Sequence, residues 1–367
     1  MDIFQLAVWA LHKATRIGKH TGIIMRKLLN SLFVLSPESY LSLKNDNVVI
    51  HAEDGNSKMI PLIGLESILC FSYKGASPEL IGKCAQNGIT ITFLTPNGAY
   101  LATASGRSIG NVLLRKMQYK ISNDEKESCK VARYMILGKI YNCRYCIDRT
   151  VRDHALRVNS DNLQKASDYL KDVYRNILDV SDLDELRGIE GSAATQYFGV
   201  FNDLILNQKE AFIFSGRSRR PPLDRVNAML SFGYTLLTHD CAAAMESVGL
   251  DSYVGFMHRD RPGRMSGALD LMEELRCIFV DRFVLTLINT KAISPRNFDL
   301  SENGAVLLND DGRKVFLTAW QERKREEIVH PYLKEKIQWG LVPYVQALLL
   351  ARFFRGDCDA YPPFLWK

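Results

Sequence analysis

Val131-Ala132-Arg133-Tyr134-Met135-Ile136-Leu137-Gly138-Lys139-Ile140-Tyr141 decides how this chain divides. Val131, Tyr134, Met135, Leu137, Ile140 and Tyr141 recur at the spacing of a helix with one apolar face. The same period persists through most of the sequence that follows. It predicts helices near 110–121, 125–154, 161–178, 182–207, 223–248, 263–290, 317–328 and 334–352, with a turn and short ribbon at Asn309-Asp310-Asp311-Gly312.

Upstream the pattern is that of strands. Leu32-Phe33-Val34-Leu35, Tyr40-Leu41, Val48-Val49-Ile50 and Ser67-Ile68-Leu69-Cys70-Phe71 are short β-prone runs. Ser36-Pro37, Asn45-Asp46-Asn47 and Asp54-Gly55-Asn56 supply turn chemistry between them. A helix over 78–86 stops at Asn87-Gly88, and Pro96-Asn97-Gly98 joins strands 89–94 and 99–102 as a hairpin. The character changes near Ser105-Gly106-Arg107-Ser108. The expectation is an α+β protein with an extension over 1–24 and a small β-sandwich-like domain over 25–107. A larger, all-helical catalytic domain follows over 108–367.

Composition bounds the function. At 367 residues the chain is long enough for two domains with real cores, and 47% hydrophobic with 24% charged residues is ordinary for a soluble protein. A net charge of +6 is compatible with nucleic acid without demonstrating it. The eight cysteines are scattered among apolar neighbours, which reads as reduced core thiols of a cytoplasmic protein. Cys143 and Cys146 form a lone C-x-x-C without the second pair a zinc site needs, so they read as two positions of one amphipathic helix. No run approaches the ~20 apolar residues of a membrane span. The apolar patch from Ile3 to Leu11 follows Asp2 and precedes its cations, which argues against a signal peptide. Met25-Arg26-Lys27-Leu28-Leu29-Asn30 reads like a natural start, making 1–24 an upstream-start artefact or a dispensable extension.

Three separated stretches carry chemistry: Arg187-Gly188-Ile189-Glu190-Gly191-Ser192-Ala193-Ala194, His258-Arg259-Asp260-Arg261-Pro262-Gly263-Arg264 and Asp270-Leu271-Met272-Glu273-Glu274-Leu275-Arg276. One imidazole with two or three carboxylates can hold a hard divalent ion, and the surrounding arginines suit a polyanion. Together they point to phosphodiester chemistry on nucleic acid. Asp270 and Glu273 share a helix face, with Glu274 close to it. The competing reading is a solvated acidic face, against which Leu269, Leu271, Met272 and Leu275 argue burial. His258 competes with a hydrogen-bonded core histidine, and Glu190 with a salt bridge to Arg187 or to another helix's arginine. Gly188, Gly191, Ala193 and Ala194 would allow close approach by a helix or a substrate backbone. Arg217-Ser218-Arg219-Arg220-Pro221-Pro222 puts three guanidinium groups on a stiff turn suited to phosphates, or else is a solvated loop. Asn227, Ser231 and Tyr234 on the next helix would line the same cleft.

On these residues the chain resembles the CRISPR adaptation integrase (Cas-one) family, in its subtype I-C versions. The resemblance runs from Met25 to Lys367. It is carried by the three stretches, by Arg219-Arg220-Pro221-Pro222 with Asn227 and Ser231-Phe232-Gly233-Tyr234, and by Trp320-Gln321. It implies a β domain joined to a helical domain and a metal triad of Glu190, His258 and Asp270 holding Mn2+ or Mg2+, with Glu273 as a further catalytic acid. The 3′-hydroxyl of a short double-stranded DNA fragment would attack the CRISPR repeat. Arg217, Arg219, Arg220, Arg259 and Arg264 are the candidate DNA contacts. Implied partners are a second copy (a homodimer through the β domain), a dimer of a small ferredoxin-like companion subunit and an iron–sulfur exonuclease, with no membrane. Rival readings are a stand-alone transposon-type integrase, a branched-DNA repair nuclease, and an inactive DNA-binding scaffold. Gly267, where a larger apolar residue is expected, would loosen the acidic helix. A chain starting at Met25 is expected to integrate DNA as well as the full one; loss of activity on truncation would make 1–24 part of the working molecule.

Overall fold

The computed structural model describes residues 30–34, 36–95, 100–106 and 112–367. The expectations for 1–24, for Pro96-Asn97-Gly98 and for Arg107-Ser108 lie outside the described residues. Strands β1 (Asn30–Val34), β5 (Leu65–Cys70), β6 (Thr90–Leu94) and β7 (Tyr100–Ala104) form one sheet in that order. Strands β2 (Tyr40–Lys44), β3 (Asn47–His51) and β4 (Ser57–Pro61) form a second, antiparallel sheet.

Local chemistry explains the turns. Asn45 and Asp46 both take positive φ, +48° and +56°, and make the two-residue link that pairs Lys44 with Asn47. Helix α1 (Pro78–Gln86) starts where the Ser77 side chain accepts the Leu80 N–H, with Pro78 pre-set in the first turn. Both sheets and α1 bury one cluster that includes Val34, Leu41, Val48, Ile68, Leu80 and Ile91. The shared core is sandwich-like. The four-stranded sheet is mixed, because β1–β5 and β5–β6 run parallel across crossover connections, as parallel pairs require.

From Val112 onward helices dominate: α2 (Val112–Ser122), α3 (Glu125–His154), α4 (Ser160–Asn176), α5 (Leu183–Gly199), α6 (Arg225–Ser247), α7 (Ser266–Glu273), α8 (Arg282–Asn289), α9 (Asp310–Arg325) and α10 (Val342–Arg355). This part is not all-helical. Strand β8 (Phe298–Leu300) pairs with β9 (Val306–Leu308), and β10 (Glu327–Val329) pairs with β11 (Lys336–Gln338). The ribbons satisfy backbone groups that the short connections would otherwise leave unpaired.

Other differences from the periodicity have local causes. The expected turn at 309–312 is the start of α9: Asn309 accepts the Gly312 N–H, and Asp310 and Asp311 sit in the first turn. Turn and N-cap positions select the same side chains, so sequence alone does not separate them. The helix expected over 182–207 stops at Gly199, and the one expected over 334–352 begins at Val342, after β11. The helix expected over 263–290 is split by a π-helical stretch at Arg276–Asp281.

Helix α3 runs through the core and packs against α4, α5 and α7. Its Val131, Met135, Ile136, Leu137 and Ile140 are buried. Gly138 stands where α3 crosses the end of α7: a Cβ there would lie 2.8 Å from Glu274 Cβ and 3.2 Å from Pro363 Cβ. A helical glycine costs about 1 kcal/mol relative to alanine, and the close crossing is what it permits. Gly138→Ala is therefore expected to lower stability by about 1–3 kcal/mol through overpacking, despite its better helix propensity. Thermal denaturation checks this; an unchanged or raised Tm would mean that the crossing has slack.

Candidate active site in an arginine-lined cleft

Asp270, Glu273 and Glu274 are all buried, so each must be paired. Glu274 departs from the face that the spacing gave to Asp270 and Glu273. Asp270 Oδ2 accepts the backbone N–H of Phe256 (2.6 Å) and Met257 (3.0 Å). Its Oδ1 accepts the His258 N–H (3.1 Å) and meets the imidazole Nδ1 (2.5 Å). Glu273 Oε2 accepts from Lys139 Nζ (2.7 Å) and its Oε1 from Arg276 Nη1 (2.7 Å). Glu274 faces the chain's end, where Gln346 Nε2 (3.0 Å), the Tyr361 hydroxyl and the Phe364 N–H (2.6 Å) donate to it. Helix α7 ends at Glu273, and the π-helical turn begins soon after. The spacing argument for Glu274 assumed a regular helix past that point.

Glycine and arginine close the histidine turn around Asp270. A Cβ on Gly255 would lie 2.6 Å from the His258 carbonyl and 3.1 Å from Asp270 Oδ2. Gly267 does not loosen α7. A Cβ there would lie 2.5 Å from the Val254 carbonyl, and the Ala268 N–H donates to the Ser252 carbonyl at 3.1 Å. Arg187 does not pair with Glu190: its Nε (3.0 Å) and Nη2 (2.8 Å) donate to the Met257 carbonyl, tying α5 to the histidine turn. Glu190 pairs instead with Lys139 from α3. Gly188 and Gly191 have open space beside them, so no neighbouring helix accounts for either glycine.

The four expected site residues thus form two adjoining pairs. Lys139 bridges Glu190 and Glu273, while Asp270 holds His258. Burial opposes charge on Lys139, but Glu273 and then Glu190 outweigh it and raise its pKa. Burial likewise opposes the Glu273 carboxylate, yet Arg276, Lys139 and His258 hold it well below the usual range. His258 is raised: burial disfavours its charge, but the Asp270 hydrogen bond and the charges of Asp270 and Glu273 prevail. Among the described residues, no group of three or more His, Cys, Asp or Glu side chains could hold a metal ion. Lys139 fills the gap between two acids, and Asp270 already accepts four hydrogen bonds. As arranged, the donor set does not fit a divalent ion.

His258 opens onto a cleft of about 1570 Å³ that Arg217, Arg219, Arg220, Arg261 and Arg264 also line. A smaller crevice of about 470 Å³ adjoins it, lined by Lys139, Glu190 and the apolar Ala193, Tyr197 and Phe198. Arg219, Tyr234 and Arg276 line both. Arg217 is turned inward: its Nη1 donates to the Ser218 carbonyl and Asn227 Oδ1 (2.6 Å each), and its Nη2 to Ser231 Oγ (3.2 Å). Arg259 is absent from the cleft lining and lies 3.5 Å from Asp184 on the surface. Ser231 and Tyr234 line the cleft as expected, whereas Asn227 is buried beneath the turn.

Sequence reasoning gave no role to Lys139, Arg261 or Arg276. Lys139 did leave a signal, since a lysine inside a buried apolar run must find partners. Arg276 sits in the π-helical stretch with its guanidinium 4.3 Å from the Tyr234 ring, a geometry no regular period announces. The Tyr234 hydroxyl donates to Asp281 at 2.5 Å. All eight cysteines are free and buried, Cys143 and Cys146 within α3. Among the described residues no helix is long and apolar enough to cross a membrane.

Burial pushes the Glu274 carboxyl from its ordinary 4.5 up to about 7, against the pull of Tyr361, Gln346 and the Phe364 N–H. Its folded pKa lies above the unfolded one. The group therefore favours the fold fully below about pH 4.5, and that contribution is lost as pH rises through 7. Glu274→Gln is expected to remove about 2–3 kcal/mol of pH dependence over this window. The readout is Tm against pH, and equal slopes for both proteins would refute it.

Comparison with known proteins gives the family. The family described as "CRISPR associated protein Cas1" matches residues 32–322. A CRISPR-associated endonuclease Cas1 of Chlorobaculum tepidum is 48% identical over 94% of this chain and 100% of its own length. A Cas1 endonuclease of Rhodospirillum rubrum is likewise 48% identical over 94% of this chain and all of its own. In fold, a CAS1 protein from Thermotoga maritima superposes with a TM-score of 0.75 at 24% identity, covering 89% of this chain and 97% of that one. A casposase bound to integration product superposes at 0.78 and 23% identity, covering 93% and 95%. The chain belongs to the Cas1 family of CRISPR-associated endonucleases.

Proposed function

We propose that the cleft binds DNA and that the His258 side of the site carries out transesterification, joining the 3′-hydroxyl ends of short fragments to a CRISPR repeat. The observation that carries this reading is the shared wall of cleft and crevice. A phosphate held by Arg219 on that shared wall would lie between His258 in the cleft and Glu190 in the crevice. Guanidinium forks match phosphate oxygens, and a cleft lined by one sign of charge draws in a polyanion. His258 has Nδ1 committed to Asp270, which leaves Nε2 to exchange a proton with an oxygen of the scissile phosphodiester. Asp270 fixes the ring and the turn that carries it.

Dependence on Mn2+ or Mg2+ belongs to this proposal on the strength of the family resemblance. Among the described residues, the side chains as arranged leave no ligand set open. The proposed organisation is a dimerising β domain over 25–107 and a catalytic domain over 108–367. The proposed working assembly is a homodimer joined to a small companion subunit, with a trimming exonuclease in a subtype I-C-like system. Solved structures similar in fold include a "Cas6-RT-Cas1–Cas2 complex" (TM-score 0.78, 22% identity), and curated relatives include a Cas4/Cas1 fusion from Geobacter sulfurreducens at 34% identity.

Incubating the protein and its companion with a short duplex and a supercoiled repeat plasmid in manganese buffer tests the chemistry. His258→Ala is expected to cut strand transfer by at least about two orders of magnitude while leaving DNA binding intact. A fully active His258→Ala protein would overturn the assignment. Replacing Arg219 and Arg220 by glutamine is expected to weaken binding and to flatten its salt dependence by about one to two units of slope. An unchanged slope would place both off the DNA path.

A further inference from the structure

We infer that Arg187 is a positioning residue for His258: its guanidinium pins the Met257–His258 peptide from the side opposite Asp270 and so sets where the imidazole meets the cleft. The inference rests on the reaction proposed above, in which His258 works on the phosphodiester. A trans peptide is planar, and its carbonyl and N–H point in opposite directions. The N–H of this peptide donates to Asp270 Oδ1 at 3.1 Å. Its carbonyl accepts from Arg187 Nε at 3.0 Å and from Nη2 at 2.8 Å. Held at both edges, the plane cannot turn about the chain, and the Cα–Cβ direction of His258 is fixed with it.

The third nitrogen extends the grip. Arg187 Nη1 donates to Asp184, whose Oδ1 also lies 3.5 Å from the Arg259 guanidinium. The start of α5 therefore meets the residue before His258 and the residue after it. The Asp184–Arg259 pair is exposed and adds little, so the charged fork on the Met257 carbonyl carries the hold. Glu190 follows three residues beyond Arg187 on the same helix, and the fork thereby fixes the crevice acid relative to the imidazole. A role as a phosphate contact does not account for Arg187. All three of its nitrogens are engaged by protein groups, and it is absent from the cleft lining. A lysine offers no rigid fork and could not serve the carbonyl and the carboxylate in the same way.

NMR of the full chain carrying isotope-labelled histidine reports the ring directly in wild type, Arg187→Ala and Arg187→Lys. The His258 signal, identified by its loss in His258→Ala, is expected to move in both variants while the other histidines keep theirs. Strand transfer at saturating DNA, with the companion subunit and manganese, is expected to fall about ten- to a hundredfold, with DNA affinity unchanged. Guanidinium chloride at a non-denaturing concentration is expected to restore part of the rate and the signal in Arg187→Ala, and sodium chloride of equal ionic strength is not. An unmoved His258 signal, or a loss confined to DNA affinity, overturns the inference. Should Arg187→Ala not melt cooperatively, Arg187→Lys decides alone; if neither variant folds, the arginine is a structural tie and the inference falls. Full strand transfer by His258→Ala would sink the proposed chemistry instead, a distinct outcome.

Discussion

Three carboxylates at positions 270, 273 and 274 are buried at the end of one helix, and the architecture around the site is an answer to that constraint. Each acid draws in a different part of the chain. Asp270 gathers the 256–258 turn, Glu273 takes a lysine from α3 and an arginine from the π-helical turn, and Glu274 receives the last residues. Uncompensated, any of the three would be too costly to keep charged. Compensated, they act as ties to segments as far as 134 residues away.

The C-terminal tail is part of this answer. Its Tyr361 and Phe364 are buried. It also carries polar ties. Asn142 Nδ2 donates to the Phe364 carbonyl at 2.7 Å, and the Trp366 N–H donates to Asn142 Oδ1 at 3.0 Å. The Arg282 guanidinium stacks 4.0 Å from the Trp366 ring centre. The tail thus ties α3 and α8 to the end of α7, where Glu274 accepts the Phe364 N–H.

The cleft works because two kinds of arginine meet there. Arg219 and Arg220 are exposed and free to meet a phosphate, whereas Arg217 and Arg276 are spent on protein groups and shape the wall. Residue type alone does not separate these roles. Arg217 and Arg219 are two apart on one turn, and only the packing of Asn227 and Ser231 beneath the first distinguishes them.

What the sequence determined by itself was local: strand and helix periods, the stop at Asn87-Gly88, the long helix over 125–154, and the stretches that would supply acid, imidazole and guanidinium. These depend on near-neighbour spacing and side-chain type, both written in order along the chain. Tertiary structure alone decided which acid meets which base, because pairing joins residues far apart in sequence. Spacing put Asp270, Glu273 and Glu274 together, and burial drove them to separate partners. Arg187 was the expected mate of Glu190, but the Met257 carbonyl claimed it, and Lys139 arrived from a helix whose period announced only core. The π-helical turn, the β10–β11 ribbon and the role of Gly138 were hidden for the same reason, since each resolves a contact between elements that no single element encodes.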